Sequence, residues 1–445
     1  MDNASALRGR RILIDGMNLG LREGTGVATY ARELNAALRA LGADTELLYD
    51  RGARARDPVL REVQFYDPGG GAGRLARLAR RVSPARLAAL NPGRSVRARQ
   101  VPASGVVLRE AFDVPQPPAD AIHTAYRLFD QARRHFSLWG RCLTVDVDPV
   151  PDLVHWTFPL PLRVRGAKNI YTVHDLVPLR LPHTTLDDKA YHLRLVRHLA
   201  RSADRLVTVS ETSRTDILQV AGCAPGKVVN TFQASRLPRP LPGDDRDMLD
   251  IWLRARVGLP DRGYLLFAGA IEPKKNLLRV LEAYLGSGVR LPLLIVGRNG
   301  WSCERELALL DWIERRQQES PPLPGRVVRL GHLPYRSLVR LVSGARALVF
   351  PSLYEGFGLP VLEAMNLGTA VVTSDRGSLD EIAAGAALQV DPFDTDALSE
   401  ALRRVEHDEA LVMRLAAAGR ERAEQFSEVA YRERLAALYA EVLVA

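Results

Sequence analysis

Two glutamates, Glu355 and Glu363, bracket a glycine-containing turn in the run Phe350-Pro351-Ser352-Leu353-Tyr354-Glu355-Gly356-Phe357-Gly358-Leu359-Pro360-Val361-Leu362-Glu363-Ala364-Met365. Ala347 to Phe350 reads as a buried strand ending at Pro351, and Leu359 to Met365 as a helix with Pro360 in its first turn. That reading puts Glu363 in the first turn and Glu355 in the loop before it. Both carboxylates and the free amides of Gly356, Phe357, Gly358 and Leu359 then converge on one crevice at the carboxyl end of a parallel sheet. Carboxylates accept from sugar hydroxyls and a helix N-terminus takes an anion, so the crevice suits a ligand carrying both hydroxyls and phosphates. Without the intervening glycines, two acids eight residues apart would describe only a solvated helix face.

Further groups bear on the same chemistry. Gly269-Ala270-Ile271-Glu272-Pro273-Lys274-Lys275-Asn276 follows an apolar run and precedes a helix starting near Leu277, with Asn276 as the expected N-cap. Two ammonium groups there can stabilise charge developing on a departing diphosphate more than they stabilise the ground state. Solvated surface is the ordinary fate of a lysine pair. His174-Asp175 ends a strand read from Asn169 to His174, where an imidazole can hydrogen-bond a sugar or stabilise developing charge. Gly24-Thr25-Gly26 precedes the first helix and lets backbone amides approach a diphosphate, a weak signal by itself. Asp146-Val147-Asp148 is a rival clue, since an aspartate pair of this spacing holds a divalent ion in another transferase architecture. Pro149 and Pro151 mark its context as a loop, and the expected reaction needs no metal or other cofactor.

The elements that must position these groups alternate in type. Arg11 to Asp15 reads as a strand, Val27 to Leu41 as a helix by the recurrence of apolar residues, and Thr45 to Tyr49 as a second strand. The alternation resumes with strands at Asp152 to Trp156, Asn169 to His174 and Arg205 to Val209, and helices at Asp187 to Ala200 and Glu211 to Val220. Ser235 to Asp247 carries the prolines and glycine of a linker. A second series has strands at Tyr264 to Ala268, Leu293 to Val296, Arg326 to Leu330, Ala347 to Phe350 and Ala370 to Thr373. The fold class is α/β, with two doubly wound halves facing across a cleft. The boundaries fall at 1–240, 241–426 and a final helical segment, 427–445, capped by Ser427.

Residues 51–141 fit the alternation poorly and read as a basic insertion. Leu75, Leu78 and Val82 recur among Arg74, Arg77, Arg80 and Arg81, and Tyr126, Phe129, Arg133, Arg134, Phe136 and Trp139 form a second basic, aromatic stretch. These read either as a surface that settles on anionic lipid or as ordinary amphipathic helices with solvated arginines. The 445 residues carry a formal charge of +9, which favours an anionic partner; nucleotide sugar, anionic lipid and nucleic acid all satisfy it. Three widely spaced cysteines, Cys142, Cys223 and Cys303, lack metal-ligand spacing and suit a reducing compartment. Met1 to Arg11 lacks the apolar core of a signal peptide, and no apolar run approaches bilayer-spanning length, so the expected location is cytoplasmic.

The E-x7-E segment with Gly-Phe-Gly-Leu-Pro inside it closely resembles the donor-site motif of family-4 glycosyltransferases, retaining enzymes of the GT-B fold. The likeness covers most of residues 1–50 and 150–445 and is strongest from Tyr264 through Asp391. It implies a nucleotide-diphosphate sugar donor, with GDP-mannose favoured, and a glycan acceptor, lipid-linked through polyprenyl diphosphate, in surface polysaccharide assembly. Lys275 matches the family's phosphate-binding lysine. Many members carry an arginine after the strand glycine, where this chain has Ala270, leaving open whether Lys274 supplies the second charge. Val173 to Leu179 is similar to the segment whose imidazole lies near the transferred sugar, and Gly24-Thr25-Gly26 to the loop that approaches donor phosphates and acceptor.

The resemblance thus implies His174, Lys275 and Glu355 as catalytic. It implies Gly24, Thr25, Gly26, Lys274, Gly356, Phe357, Gly358, Leu359 and Glu363 as donor-binding. It also implies a final helix crossing back to the first half, no protein nucleophile, no nucleic-acid partner, and a peripheral position on the inner face of the plasma membrane. Two alternatives remain: a soluble transferase acting on a small sugar, and a catalytically silent basic protein that keeps the fold and binds lipid or nucleic acid.

If the arginines hold the protein on anionic lipid, each contributes on the order of 1 kcal/mol near the surface at low salt. Changing Arg74, Arg77, Arg80 and Arg81 to Gln is then expected to abolish vesicle co-sedimentation while nucleotide binding persists. Co-sedimentation that is unchanged between about 50 and about 300 mM salt would show that this stretch is not the membrane contact.

Overall fold

Short, wholly apolar runs form the centre of two parallel sheets, because strands covered on both faces need no polar side. The computed structural model describes residues 6–19, 26–53, 55–67, 91–108, 117–235, 245–319 and 325–444. Gly24, Thr25, Arg74, Arg77, Arg80 and Arg81 lie outside the described residues, as does most of the linker.

The first sheet contains β1 (Arg11–Asp15), β2 (Asp44–Tyr49), β4 (Arg99–Val101), β5 (Ala121–Thr124), β7 (Leu153–Trp156), β9 (Lys168–Thr172), β10 (Arg205–Thr208) and β11 (Val228–Asn230). Its order is β11-β10-β9-β7-β1-β2-β5-β4, parallel except for the antiparallel edge pair β4 and β5. A separate three-stranded parallel sheet joins β3 (Ser95–Arg97), β6 (Leu143–Asp146) and β8 (Leu162–Val164). The other half is a six-stranded parallel sheet of β12 (Leu265–Ala268), β13 (Leu293–Val296), β14 (Val327–Leu330), β15 (Ala347–Phe350), β16 (Ala370–Ser374) and β17 (Leu388–Val390). Its order is β14-β13-β12-β15-β16-β17. Every residue of β7, β12, β13 and β15 is buried.

The expected alternation holds, with corrections. The strand before His174 ends at Thr172, so His174 stands on the loop just beyond it. Residues 51–141 are not wholly an insertion into the alternating pattern, because β5, within that range, pairs in register with β2 inside the main sheet. Its helix Leu128–Trp139 turns Leu128, Ala132 and Phe136 inward and leaves Arg133 and Arg134 outside, and Arg133 lies 5.7 Å from the Tyr191 ring centroid. That is the ordinary amphipathic arrangement.

Ser210 caps its helix as expected, accepting from the Ser213 amide at 3.0 Å. Asn276 does not cap: its backbone is left-handed, and its side-chain amide instead donates to the Pro351 and Pro392 carbonyls. The helix Glu428–Val444 crosses to the first half and buries Tyr431, Leu435, Leu438, Tyr439 and Val442. There the Tyr439 hydroxyl lies 2.5 Å from His155 Nδ1 on β7, Arg205 pairs with Glu441, and Arg434 donates to the Thr231 carbonyl. Among the described residues no helix is long and apolar enough to cross a membrane.

Candidate active site

In an open parallel sheet the crevice for a ligand opens where neighbouring strands send the chain in opposite directions. Strand order places that point between β12 and β15 in the second sheet and between β1 and β7 in the first. The loops leaving β12 and β15 carry Lys274, Lys275 and Glu355, and His174 stands on the loop leaving β9, the neighbour of β7.

In the second half, β12 runs into Gly269 to Glu272, a 3₁₀ turn Pro273–Lys275 and the helix Leu277–Ser287. The loop after β15 joins it through the Leu353 amide, which donates to the Lys274 carbonyl at 2.8 Å. Lys275 Nζ donates to Glu355 Oε1 at 2.6 Å and lies 4.8 Å from the Phe350 ring centroid. Burial alone would raise the Glu355 pKa, but the charges of Lys275 and Lys274 hold it below the usual glutamate value. Lys274 makes no direct ion pair among the described residues. Burial would lower its pKa, yet the Glu355, Asp175, Glu272 and Asp187 carboxylates hold it above the ordinary lysine value. Two of those acids belong to the first half, so Lys274 answers to both walls of the cleft.

The amides of Gly356, Phe357, Gly358 and Leu359 donate to no acceptor among the described residues, leaving the N-terminus of helix Leu359–Leu367 available to an anion. Gly358 has φ of 112°, a conformation that excludes a side chain without strain, and a Cβ there would meet Leu379 at 2.6 Å. Glu363 is the fifth residue of the helix, not in its first turn as the spacing implied. It has no counter-ion among the described residues, and burial lifts its pKa to about 7.

In the first half, His174 Nε2 lies 2.9 Å from the Thr157 carbonyl, which can only accept. Burial lowers the imidazole pKa against the opposing pull of that hydrogen bond and of Asp175, so the ring is neutral near pH 7 with its proton on Nε2. Nδ1 is left as an acceptor. The Thr157 amide donates to Asp15 Oδ2 at 2.5 Å, and the buried Asp15, at the end of β1, has its pKa raised to about 6 by desolvation. The Tyr30 ring stands edge-on to the His174 ring, 4.8 Å between centroids.

The two walls touch. A Cβ on Gly356 would lie 2.7 Å from the His174 carbonyl oxygen, so only glycine allows the Glu355 loop this close. Ser213 Oγ donates to that carbonyl at 2.8 Å and lies 3.4 Å from the Gly356 carbonyl. Glu381 of the second half accepts from the Glu211 and Thr212 amides, closing the N-terminus of helix Glu211–Ala221. Gly26 is the exposed first residue of helix Gly26–Ala40, not part of the loop before it. Asp146 ends β6 of the small sheet and pairs with Arg165 at 3.3 Å, and Asp148, two residues on, pairs with Arg97 at 3.4 Å.

Residues 24–229 match the sequence model of Glycosyltransferase Family 4, and residues 253–422 that of Glycosyl transferases group 1. Over 275 residues the chain is 32% identical to the O-antigen chain mannosyltransferase B of Escherichia coli, covering 61% of this chain and 69% of that protein. The chain belongs to the family-4 glycosyltransferases. It is also similar to the longer serotype-specific mannosyltransferase WbdA of Escherichia coli, 26% identical over 68% of this chain and 38% of that one. The solved structure of Anabaena Alr3699/HepE in complex with UDP-glucose shares the fold, with a TM-score of 0.61 at 15% identity over 97% of this chain and 99% of that chain.

For a family-4 glycosyltransferase the crevice holds more than the motifs revealed. Asp15, Thr157 and Tyr30 set His174, and the buried Glu272, whose pKa is raised by burial, contributes to the field around Lys274. Asp15 carried a signal, since it ends the first apolar strand. Thr157 acts through its backbone and carried none.

Glu363 gives this glycosyltransferase a pH signature. An unfolded glutamate titrates near about 4.3, so between that value and about 7 the folded chain holds a proton that the unfolded chain releases. Its contribution to stability therefore falls as pH rises through that window and stays lost above it. Glu363→Gln is expected to raise Tm relative to the parent at pH 8 and to leave it unchanged at pH 4, read by thermal denaturation at both. An equal shift at the two pH values would overturn the assignment.

Proposed function

We propose that the chain is a retaining mannosyltransferase that moves mannose from GDP-mannose to a glycan acceptor carried on a polyprenyl diphosphate, in lipopolysaccharide O-antigen or related surface polysaccharide assembly. The observation that carries this reading is the meeting, at the second sheet's switch point, of Lys274, Lys275, Glu355 and the free amides of Gly356 to Leu359, with His174 on the facing wall. Likeness to an O-antigen mannosyltransferase supports the sugar and the pathway class.

In this reading the amides and both lysines hold the donor diphosphate, and Glu363 accepts from the ribose hydroxyls. Glu355 holds Lys275 in place and accepts from a sugar hydroxyl, while His174 Nδ1 accepts from another. As the bond from the sugar's anomeric carbon to the diphosphate breaks, the acceptor oxygen bonds to that carbon on the same face. The acceptor's proton passes to the departing phosphate oxygen, so no protein nucleophile takes part. The lysine ammonium groups supply the charge stabilisation, and the step is metal-independent. The protein works from the cytoplasmic face of the membrane, where its basic surface meets anionic lipid.

Lys275→Ala is expected to lower turnover of GDP-mannose by about 10²-fold, the scale of losing a preorganised charge stabiliser, with the protein still folded. Near-normal turnover would sink the phosphate role. Treatment with EDTA is expected to leave activity intact; loss that Mn²⁺ or Mg²⁺ restores would bring back Asp146 and Asp148 and overturn the mechanism. A hydrolysis panel of nucleotide sugars tests the donor, and preference for a uridine nucleotide would replace GDP-mannose.

A further inference from the structure

Four buried groups join the crossing helix to the wall that carries His174. Tyr439 OH lies 2.5 Å from His155 Nδ1, His155 Nε2 lies 2.7 Å from Thr172 Oγ1, and Thr172 Oγ1 lies 2.8 Å from Tyr30 OH. Each of the four residues is at most 1% exposed, so water cannot stand in for a missing partner. Thr172 ends β9 and His174 lies two residues on, and Tyr30 reaches both: its hydroxyl meets Thr172 Oγ1 and its ring meets the His174 imidazole edge-on. Burial lowers the His155 pKa to about 3, so the ring is neutral, with one donor and one acceptor nitrogen. The chain of bonds therefore has a single direction along its length. Losing the Tyr439 hydroxyl leaves a buried nitrogen of His155 unbonded, and the reorientation that follows reaches Thr172 and Tyr30.

We propose that Tyr439 and His155 are positioning residues for His174: the buried chain holds the Tyr30 ring against the imidazole, so docking of the crossing helix sets the geometry of the sugar-facing ring. The proposal rests on the role given to His174 above. A purely structural chain would affect melting alone; a positioning chain affects turnover and the state of the His174 ring.

The test compares Tyr439→Phe and Thr172→Val, each of which removes one hydroxyl and keeps the shape, with Thr172→Ser, which restores it. The two deletions are expected to lower kcat for GDP-mannose by about 3- to 10-fold, the scale of one lost neutral hydrogen bond, with little change in donor KM. The double variant is expected to be no worse than the poorer single one, because both cut the same chain. Thr172→Ser is expected to keep kcat near the parent value.

In the ¹⁵N-labelled protein, the His174 ring resonances, identified by their loss in His174→Gln, are expected to move in Tyr439→Phe. A lower Tm with unchanged kcat and unmoved His174 resonances would overturn the proposal. Failure of the parent to turn over GDP-mannose would count against the donor assignment only, and the ring resonances would then decide this inference alone.

Discussion

An ammonium and a carboxylate 2.6 Å apart, with side chains only 14% and 10% exposed, hold the second half's crevice in shape. Lys275 comes from the loop after β12 and Glu355 from the loop after β15, the two strands between which the chain reverses. Each charge is compensated by the other. Removing one partner would leave the other buried and unpaired, a loss of about 3–5 kcal/mol in comparable sites. An incoming diphosphate brings a second anion to an ammonium already in place, so little reorganisation is left for the moment of reaction. Free amides at the N-terminus of helix Leu359–Leu367 and the Lys274 charge surround the same space.

The facing wall depends on that shape, because the Glu355 loop is held against the first half by contacts that allow little slack. Gly356 rests on the His174 carbonyl, Ser213 reaches the backbone of both, and Trp301 Nε1 donates to the Thr184 carbonyl at 2.7 Å. Tyr354 donates to Asp216, which also pairs with Arg180. Each contact joins elements far apart in the chain, so separating the halves exposes a helix N-terminus at Glu211 and the polar partners of Asp216 together.

Much of this was readable from residue order. The continuous apolar runs of β12, β13 and β15 announced a covered parallel sheet, and the glycines and proline between Glu355 and Glu363 announced the crevice. What escaped has physical reasons. The edge strands β11 and β17 are three residues long, and in β17 the pattern contains Gln389, so no apolar run marks them. Asn276 sits where a cap is expected, but tertiary acceptors at Pro351 and Pro392 outcompete its own helix. The helix start at Leu359 was legible, but a turn takes between three and four residues, so Glu363, the fifth, falls just beyond the first turn. Thr157 contributes a carbonyl and an amide, groups common to almost every residue type, so sequence carries no sign of its role.

The crossing helix also orders events in time. Residues 428–444 are translated after the whole second sheet, yet they fill part of the first half's interior with Tyr431, Leu435 and Tyr439. At about 5–20 residues per second, the ribosome needs roughly 10–40 s to travel from the last described residue of the first sheet's half to this helix. Throughout that interval the nascent first half lacks the apolar side chains of this helix and the hydroxyl partner of His155. The chain is exposed to misassociation for that long, and the first half can reach its final packing only after the second sheet has emerged.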